Sequence, residues 1–246
     1  MLNSTLGADN GDIPCKSQCP LDTNLYIGTI GQSVELPFLG GYIFEDAWLQ
    51  IVNKMKLLKQ TDVIGYLTEF CGNDALPKCD FSVINGINHI AFYLGDYDTN
   101  EQVLQWYSFL QNKAKCGEEI TSVLMGPSYI SPKQYGTQGW WYSLVFKDDF
   151  VIELFCCHRF GQWRDKSSKE RVDLMSHLAF EVTQMEAVKP LIEGLERIEN
   201  HLQVIAYTEQ DEMGHTYGHV RNNQSNRVIE LVHQLPIEDG GQGETV

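Results

Sequence analysis

The chain has 246 residues, 43% apolar and 11% aromatic, enough to bury a core without disulfide or metal staples, so whole-chain disorder is excluded. Its 33 Asp plus Glu outnumber 18 Lys plus Arg, a formal charge of −15. That balance argues against nucleic acid and anionic membranes as partners, because neutralising phosphates requires clustered cations.

No run approaches the roughly 20 apolar residues of a membrane helix. The opening MLNSTLGADNGDIPCKSQCP lacks the basic start and apolar stretch of a secretory signal, so a cytoplasmic location is expected. Residues 1–40, rich in Gly and Asn, read as an irregular arm. Cys15 and Cys19 are spaced like half of a zinc site, but no second pair with that spacing follows. The cysteine count of 7 is odd, and Cys156 and Cys157 adjoin in an apolar run, which suits reduced, buried thiols.

Residues 41–84 read as a helical extension. Between Phe44 and Gln60, the residues Trp48, Ile51 or Val52, Met55 and Leu58 share one helical face, and the extension continues from Val63 to Phe70. The chain then repeats itself. Ile87-Asn88-His89-Ile90-Ala91-Phe92 returns as Met175-Ser176-His177-Leu178-Ala179-Phe180, and Val151-Ile152-Glu153-Leu154-Phe155 returns as Val228-Ile229-Glu230-Leu231-Val232. The order is His motif, Glu motif, His motif, Glu motif.

Between the two motifs of each copy lies a helical pattern, Asn100 to Leu110 and then Gln184 to Ile198, the second interrupted by Pro190. Strand patterns follow: Ile120 to Met125, Gly139 to Phe146 and Phe150 to Cys156 in the first copy; Leu202 to Thr208, Thr216 to Arg221 and Arg227 to His233 in the second. Each copy is then a βαβββ module, the first over residues 85–160 and the second over 172–235, together one α+β domain over 85–235. Residues 236–246 form an acidic, Gly-rich tail.

A charged side chain at the centre of an apolar strand is costly to bury without compensation, and here the cost recurs at matching positions. Compensation by a metal ion explains His89, Glu153, His177 and Glu230 together. Imidazole with carboxylate suits one divalent ion such as iron(II), nickel, manganese, cobalt or zinc. In the third strand of the second copy His215, Tyr217 and His219 share a face shortly before Glu230. His219 is expected to line the pocket, and His215 to sit on an exposed turn. His158 and His233 face away from their neighbouring glutamates, and His201 is expected at the surface. Tyr142 faces with Trp140 and Leu144, either walling the pocket or packing in the core.

The paired His and Glu motifs resemble the vicinal oxygen chelate superfamily, which includes glyoxalase I, bleomycin- and fosfomycin-resistance proteins, methylmalonyl-CoA epimerase and extradiol dioxygenases. The layout, with helices before the first His strand, also resembles its metal-binding YecM-type members. The resemblance covers about residues 85 to 235 and implies paired βαβββ modules forming a curved mixed sheet around a metal cleft. It implies that His89, Glu153, His177 and Glu230 ligate the metal, a set similar to that of bacterial glyoxalase I. It also implies a small-molecule substrate that chelates the metal through oxygen, in a monomer or homodimer.

The reading that follows is a metal-dependent lyase, isomerase or epimerase. Glu153 or Glu230 moves the proton, assisted by His219 or Tyr142. The alternative is a non-haem iron(II) dioxygenase using His89, His177 and Glu230, although the Pro-and-Gly turn usual in extradiol enzymes is replaced by Asn222-Asn223-Gln224-Ser225-Asn226. A further alternative is a resistance-type protein that binds a small molecule without chemistry. No organic cofactor is indicated, since no Gly-rich phosphate loop stands out.

Overall fold

The computed structural model describes residues 42–72, 79–117, 119–198, 201–211 and 214–234. The expected N-terminal arm with Cys15 and Cys19, and the acidic tail, lie outside them. Two helices come first, α1 (Tyr42–Leu58) and α2 (Val63–Cys71), then a single 3-10 turn at Phe81–Val83. The first module follows as β1 (Ile84–Tyr97), α3 (Asn100–Lys115), β2 (Ile120–Pro127), α4 (Ile130–Tyr135), β3 (Gly139–Phe146) and β4 (Val151–His158). Two short helices, α5 (Gly161–Arg164) and α6 (Ser168–Met175), connect it to the second, which comprises β5 (His177–Val182), α7 (Met185–Ile198), β6 (Leu202–Thr208), β7 (Thr216–Asn222) and β8 (Val228–His233).

The strands form one mixed eight-stranded sheet in the order β2-β3-β4-β1-β5-β8-β7-β6. Within each module the first and last strands run parallel, β1 with β4 and β5 with β8, whereas the modules meet through the antiparallel pair β1 and β5. Each half of the strand order is therefore the mirror sequence of the other about the β1–β5 seam. Ile90 opposes Leu178 at that seam, with His89 opposite Ala179 on one side and Ala91 opposite His177 on the other. This is a local twofold axis, placed by the repeated His-x-Ala motif itself.

The two faces of the sheet are covered differently. On one face α1, α2, α3 and α7 bury Trp48, Ile51, Tyr66, Phe70, Leu110 and Leu195 against Ile90, Phe92, Leu178 and Phe180. Helix α7 runs through Pro190, which is exposed together with Glu186, so the carbonyl deprived of its amide partner is near solvent. On the other face α4, α5 and α6 close one end, with Tyr135, Trp163, Val172 and Met175 packed on Tyr93, Phe155 and Cys157. The sheet curves around this inner face: the side chain of Gln134, from the segment after edge strand β2, donates to the Ile205 carbonyl of the opposite edge strand β6.

The helical extension is part of the same core. Trp48 stacks on Phe146 of the first module, Tyr66 lies 5.7 Å from Phe180 of the second, and Asn222 Nδ2 donates to the Phe70 carbonyl at 2.8 Å. None of the described cysteines is in a disulfide; Cys116 is exposed and Cys71, Cys79, Cys156 and Cys157 are buried.

Candidate metal centre

Two cross-strand rows cross the inner face beside the seam. One runs Ser143–Glu153–Ala91–His177–Val228–Arg221; the other runs Val151–His89–Ala179–Glu230–His219. The alanines keep the seam low, so the flanking imidazoles and carboxylates lean over them towards the axis. A bulge between Ile87 and His89 leaves Asn88 as the extra residue, which redirects the side chains at this point of β1.

The result is a convergence on one atom. Glu230 Oε2 lies 3.2 Å from His177 Nε2, 3.3 Å from His89 Nε2 and 3.4 Å from His219 Nε2. Ligand atoms about 2.1 Å from a divalent ion stand about 3.0 Å apart at a right angle and about 3.4 Å apart at the tetrahedral angle, so these separations match the edges of one coordination shell. Two overlapping groups, His89 with Glu153 and His177, and His177 with His219 and Glu230, each hold their ligand atoms within 4.8 Å of one another. The donor set fits a borderline divalent ion. An orphaned atom fits it too: His89 Nε2, which faces the centre, is buried without a hydrogen bond.

Glu153 stands slightly apart. Its nearest imidazole contact is His89 Nε2 at 3.7 Å, and its side chain is 27% exposed against 8% for Glu230. The electrostatics divide the carboxylates in the same way. Burial raises the Glu153 carboxyl and the neighbouring Glu230 charge adds to this, outweighing His89 and His219. Burial pushes Glu230 up as well, but His219 and His89, with the hydrogen bond from His177, hold it well below the usual carboxylate range. His177 is lowered to about 4, chiefly by burial, so it is neutral at neutral pH. For His89 burial is opposed by the Glu153 and Glu230 charges, which together raise it to about 9.

His89 is also oriented from behind. Its Nδ1 lies 2.9 Å from Asn88 Oδ1, and Asn88 Nδ2 donates to Glu181 at 2.6 Å and to Gln234 at 3.2 Å. A proton held on Nδ1 by the Asn88 carbonyl leaves Nε2 to face the centre. Sequence reasoning did not single out Asn88 or Glu181; the usable signal was an amide beside a candidate ligand.

The structure thus brings His89, Glu153, His177, His219 and Glu230 together. Tyr142 is a correction: Ser143, not Tyr142, pairs with Glu153, so Tyr142 points to the opposite face, fully buried, with its hydroxyl donating to the Val103 carbonyl at 2.9 Å. Of the other histidines, His215 lies on the turn before β7 beside Asp211, His233 contacts the Val182 carbonyl, and His158 stacks edge-on against Tyr97. Tyr217 lies near the centre, its ring 6.0 Å from that of His219.

No protein-family model matches the sequence, and no curated protein does. Solved structures do. Methylmalonyl-CoA epimerase from Mycobacterium tuberculosis is 12% identical, with a TM-score of 0.37, over 63% of this chain and 91% of that one. A mutant of 4-hydroxymandelate synthase from Streptomyces coelicolor is 14% identical, with a TM-score of 0.37, over 63% of this chain and 50% of that one. A glyoxalase/bleomycin resistance protein/dioxygenase family enzyme from Burkholderia phytofirmans PsJN is 15% identical, with a TM-score of 0.23, over 43% and 86%. The chemistry of this chain is read from its own residues.

Proposed function

We propose that this chain is a divalent-metal-dependent enzyme acting on a small molecule that chelates through oxygen, with His89, His177, His219 and Glu230 holding the ion and Glu153 moving a proton. The observation that carries this reading is the single carboxylate oxygen of Glu230 within 3.2–3.4 Å of three imidazole nitrogens. When bound, the ion would supply Lewis-acid polarisation of a substrate oxygen. Glu153, more exposed than Glu230 and with its carboxyl raised, is suited to take a proton from the adjacent carbon and return it. His89 and His177 approach from opposite modules, so the site requires both. Lyase, isomerase or epimerase chemistry follows from a carboxylate base beside a chelated oxygen.

The second reading is an iron(II) dioxygenase. It is favoured by the separation of Glu153 from the cluster, which leaves His89, His177 and Glu230 as a two-histidine, one-carboxylate set.

The test is metal analysis of the full chain and four variants, combined with α-proton exchange in D2O on a panel of 2-hydroxy acids, 2-oxo acids and thioesters. His89→Ala, His177→Ala and Glu230→Gln are expected to lose the ion. Glu153→Gln is expected to keep it while proton exchange falls by about 10²–10⁴-fold. Loss of the ion from Glu153→Gln as complete as from Glu230→Gln would overturn the division of roles. Failure of the wild-type chain to retain any divalent ion would overturn the metal reading, and substrate-dependent oxygen uptake by the iron-loaded protein would select the dioxygenase.

A further inference from the structure

A cavity of about 520 Å³ lies where the helices joining the modules meet the second module; its lining includes Gln134, Tyr135, Gln162, Lys166, Arg221 and Asn226. That size is ordinary for a small-molecule site. The lining is polar and carries two cations, in a chain whose net charge is −15. The single carboxylate among its described lining residues, Glu170, is already engaged: one oxygen accepts from the Ser167 backbone amide at 2.8 Å and from the Ser167 hydroxyl at 2.7 Å, capping α6. Arg221 is the unusual member. Its Nε is buried without a hydrogen-bond partner, although elsewhere the guanidinium bonds the neutral Tyr135 hydroxyl, which itself donates to the Leu174 carbonyl. A buried guanidinium nitrogen left unpaired is costly unless an acceptor arrives from outside.

The cavity is tied to the candidate metal centre by register. Arg221 and His177 both pair with Val228, so they lie in one cross-sheet row. Two strand spacings place their backbones about 10 Å apart. His219 and Arg221 alternate onto the same face of β7.

We propose that this cavity is an oxyanion-binding subsite, in which Arg221 and Lys166 hold a carboxylate or phosphate group of the small molecule whose other end reaches the centre described above. The guanidinium supplies a planar pair of donors, Lys166 supplies a second charge, and the side-chain amides of Gln162 and Asn226 offer neutral donors. The substrate class is thus an acid: oxygens that chelate at one end and an anionic group a few carbons away. The link to chemistry rests on the metal-enzyme reading; the anion site itself does not.

The test is isothermal titration of the full-length protein with succinate, inorganic phosphate and neutral succinamide, with and without added divalent ion. Succinate, phosphate or both are expected to bind without metal, and succinamide is not. Arg221→Gln is expected to weaken anion binding at least tenfold, Arg221→Lys to weaken it less, and Lys166→Gln to weaken it several-fold even if Arg221→Gln fails to fold. Equal binding of acid and amide, binding unchanged in Arg221→Gln or Lys166→Gln, or no anion binding up to millimolar concentrations would overturn the proposal. Because anion binding is scored in the titrations without metal, failure to retain an ion would sink the enzyme reading while leaving the anion result standing.

Discussion

His89 and His177 converge because of parity and pairing together. Within each strand, alternation puts the histidine and the following alanine on one face and Ile90 or Leu178 on the other, a consequence of the period of two. The antiparallel seam then sets each histidine opposite the other motif's alanine, so the imidazoles meet edge-on across one diagonal, ring centroids 5.6 Å apart, with the two small side chains on the other. The Asn88 bulge adds the orienting contact to His89 Nδ1. Asn88→Ala removes that contact while leaving every first-contact ligand in place. It is expected to leave the fold intact and weaken divalent-metal affinity by about 10–100-fold. Competition with a chromogenic chelator measures this, and an unchanged affinity would show that Asn88 does not orient the ring.

At the scale of elements, the segment joining the modules is held by a buried carboxylate. Asp96 Oδ1 accepts from Trp163 Nε1 at 2.9 Å and from the Tyr93 hydroxyl, while Oδ2 pairs with Arg171 of α6 and lies 3.6 Å from Arg159 Nε. One residue near the end of β1 therefore fastens α5 and α6 over the inner face. Asp96→Ala removes the charge partner of Arg171, which keeps only carbonyl acceptors, and leaves the Trp163 indole with the longer Tyr93 hydroxyl contact at 3.3 Å, and is expected to cost about 3–5 kcal/mol in urea unfolding. A loss below about 1 kcal/mol would show that the connector is held otherwise. These short helices escaped sequence reading, although Ser167-Ser168-Lys169-Glu170 carries the Ser-x-x-Glu spacing of the capping box that the structure contains. Their apolar residues are too few to show a period, and Trp163 is buried by the sheet beneath it rather than by a helical face of its own.

For the molecule as a whole, the helical extension joins the two modules into one core. Helix α1 packs Trp48, 2% exposed, on Phe146, and α2 reaches the second module through Tyr66 and the Asn222 bond to Phe70. Trp48→Ala is therefore expected to destabilise the entire cooperative unit by about 3–5 kcal/mol. Coincident loss of near- and far-ultraviolet circular dichroism at one lowered midpoint is the expected record. Separate transitions for helices and sheet would show that the extension folds by itself.

What the sequence determined by itself is everything that depends on local period: two His and two Glu motifs, the βαβββ order, and the parity that keeps His89, Ala91 and Tyr93 on a common face. Those properties are set by the geometry of one strand or one helix and survive any arrangement of its neighbours. Only the tertiary structure decided the register between strands. Register places His219 opposite Glu230 but Ser143 opposite Glu153, which sends Tyr142 into the core and makes the otherwise symmetric site lopsided. It also placed Arg221 in the row of His177 and roofed that row with α4 to α6. The physical reason is that a pairing register is chosen by the burial of whole faces and by turns many residues away, so no single strand contains it.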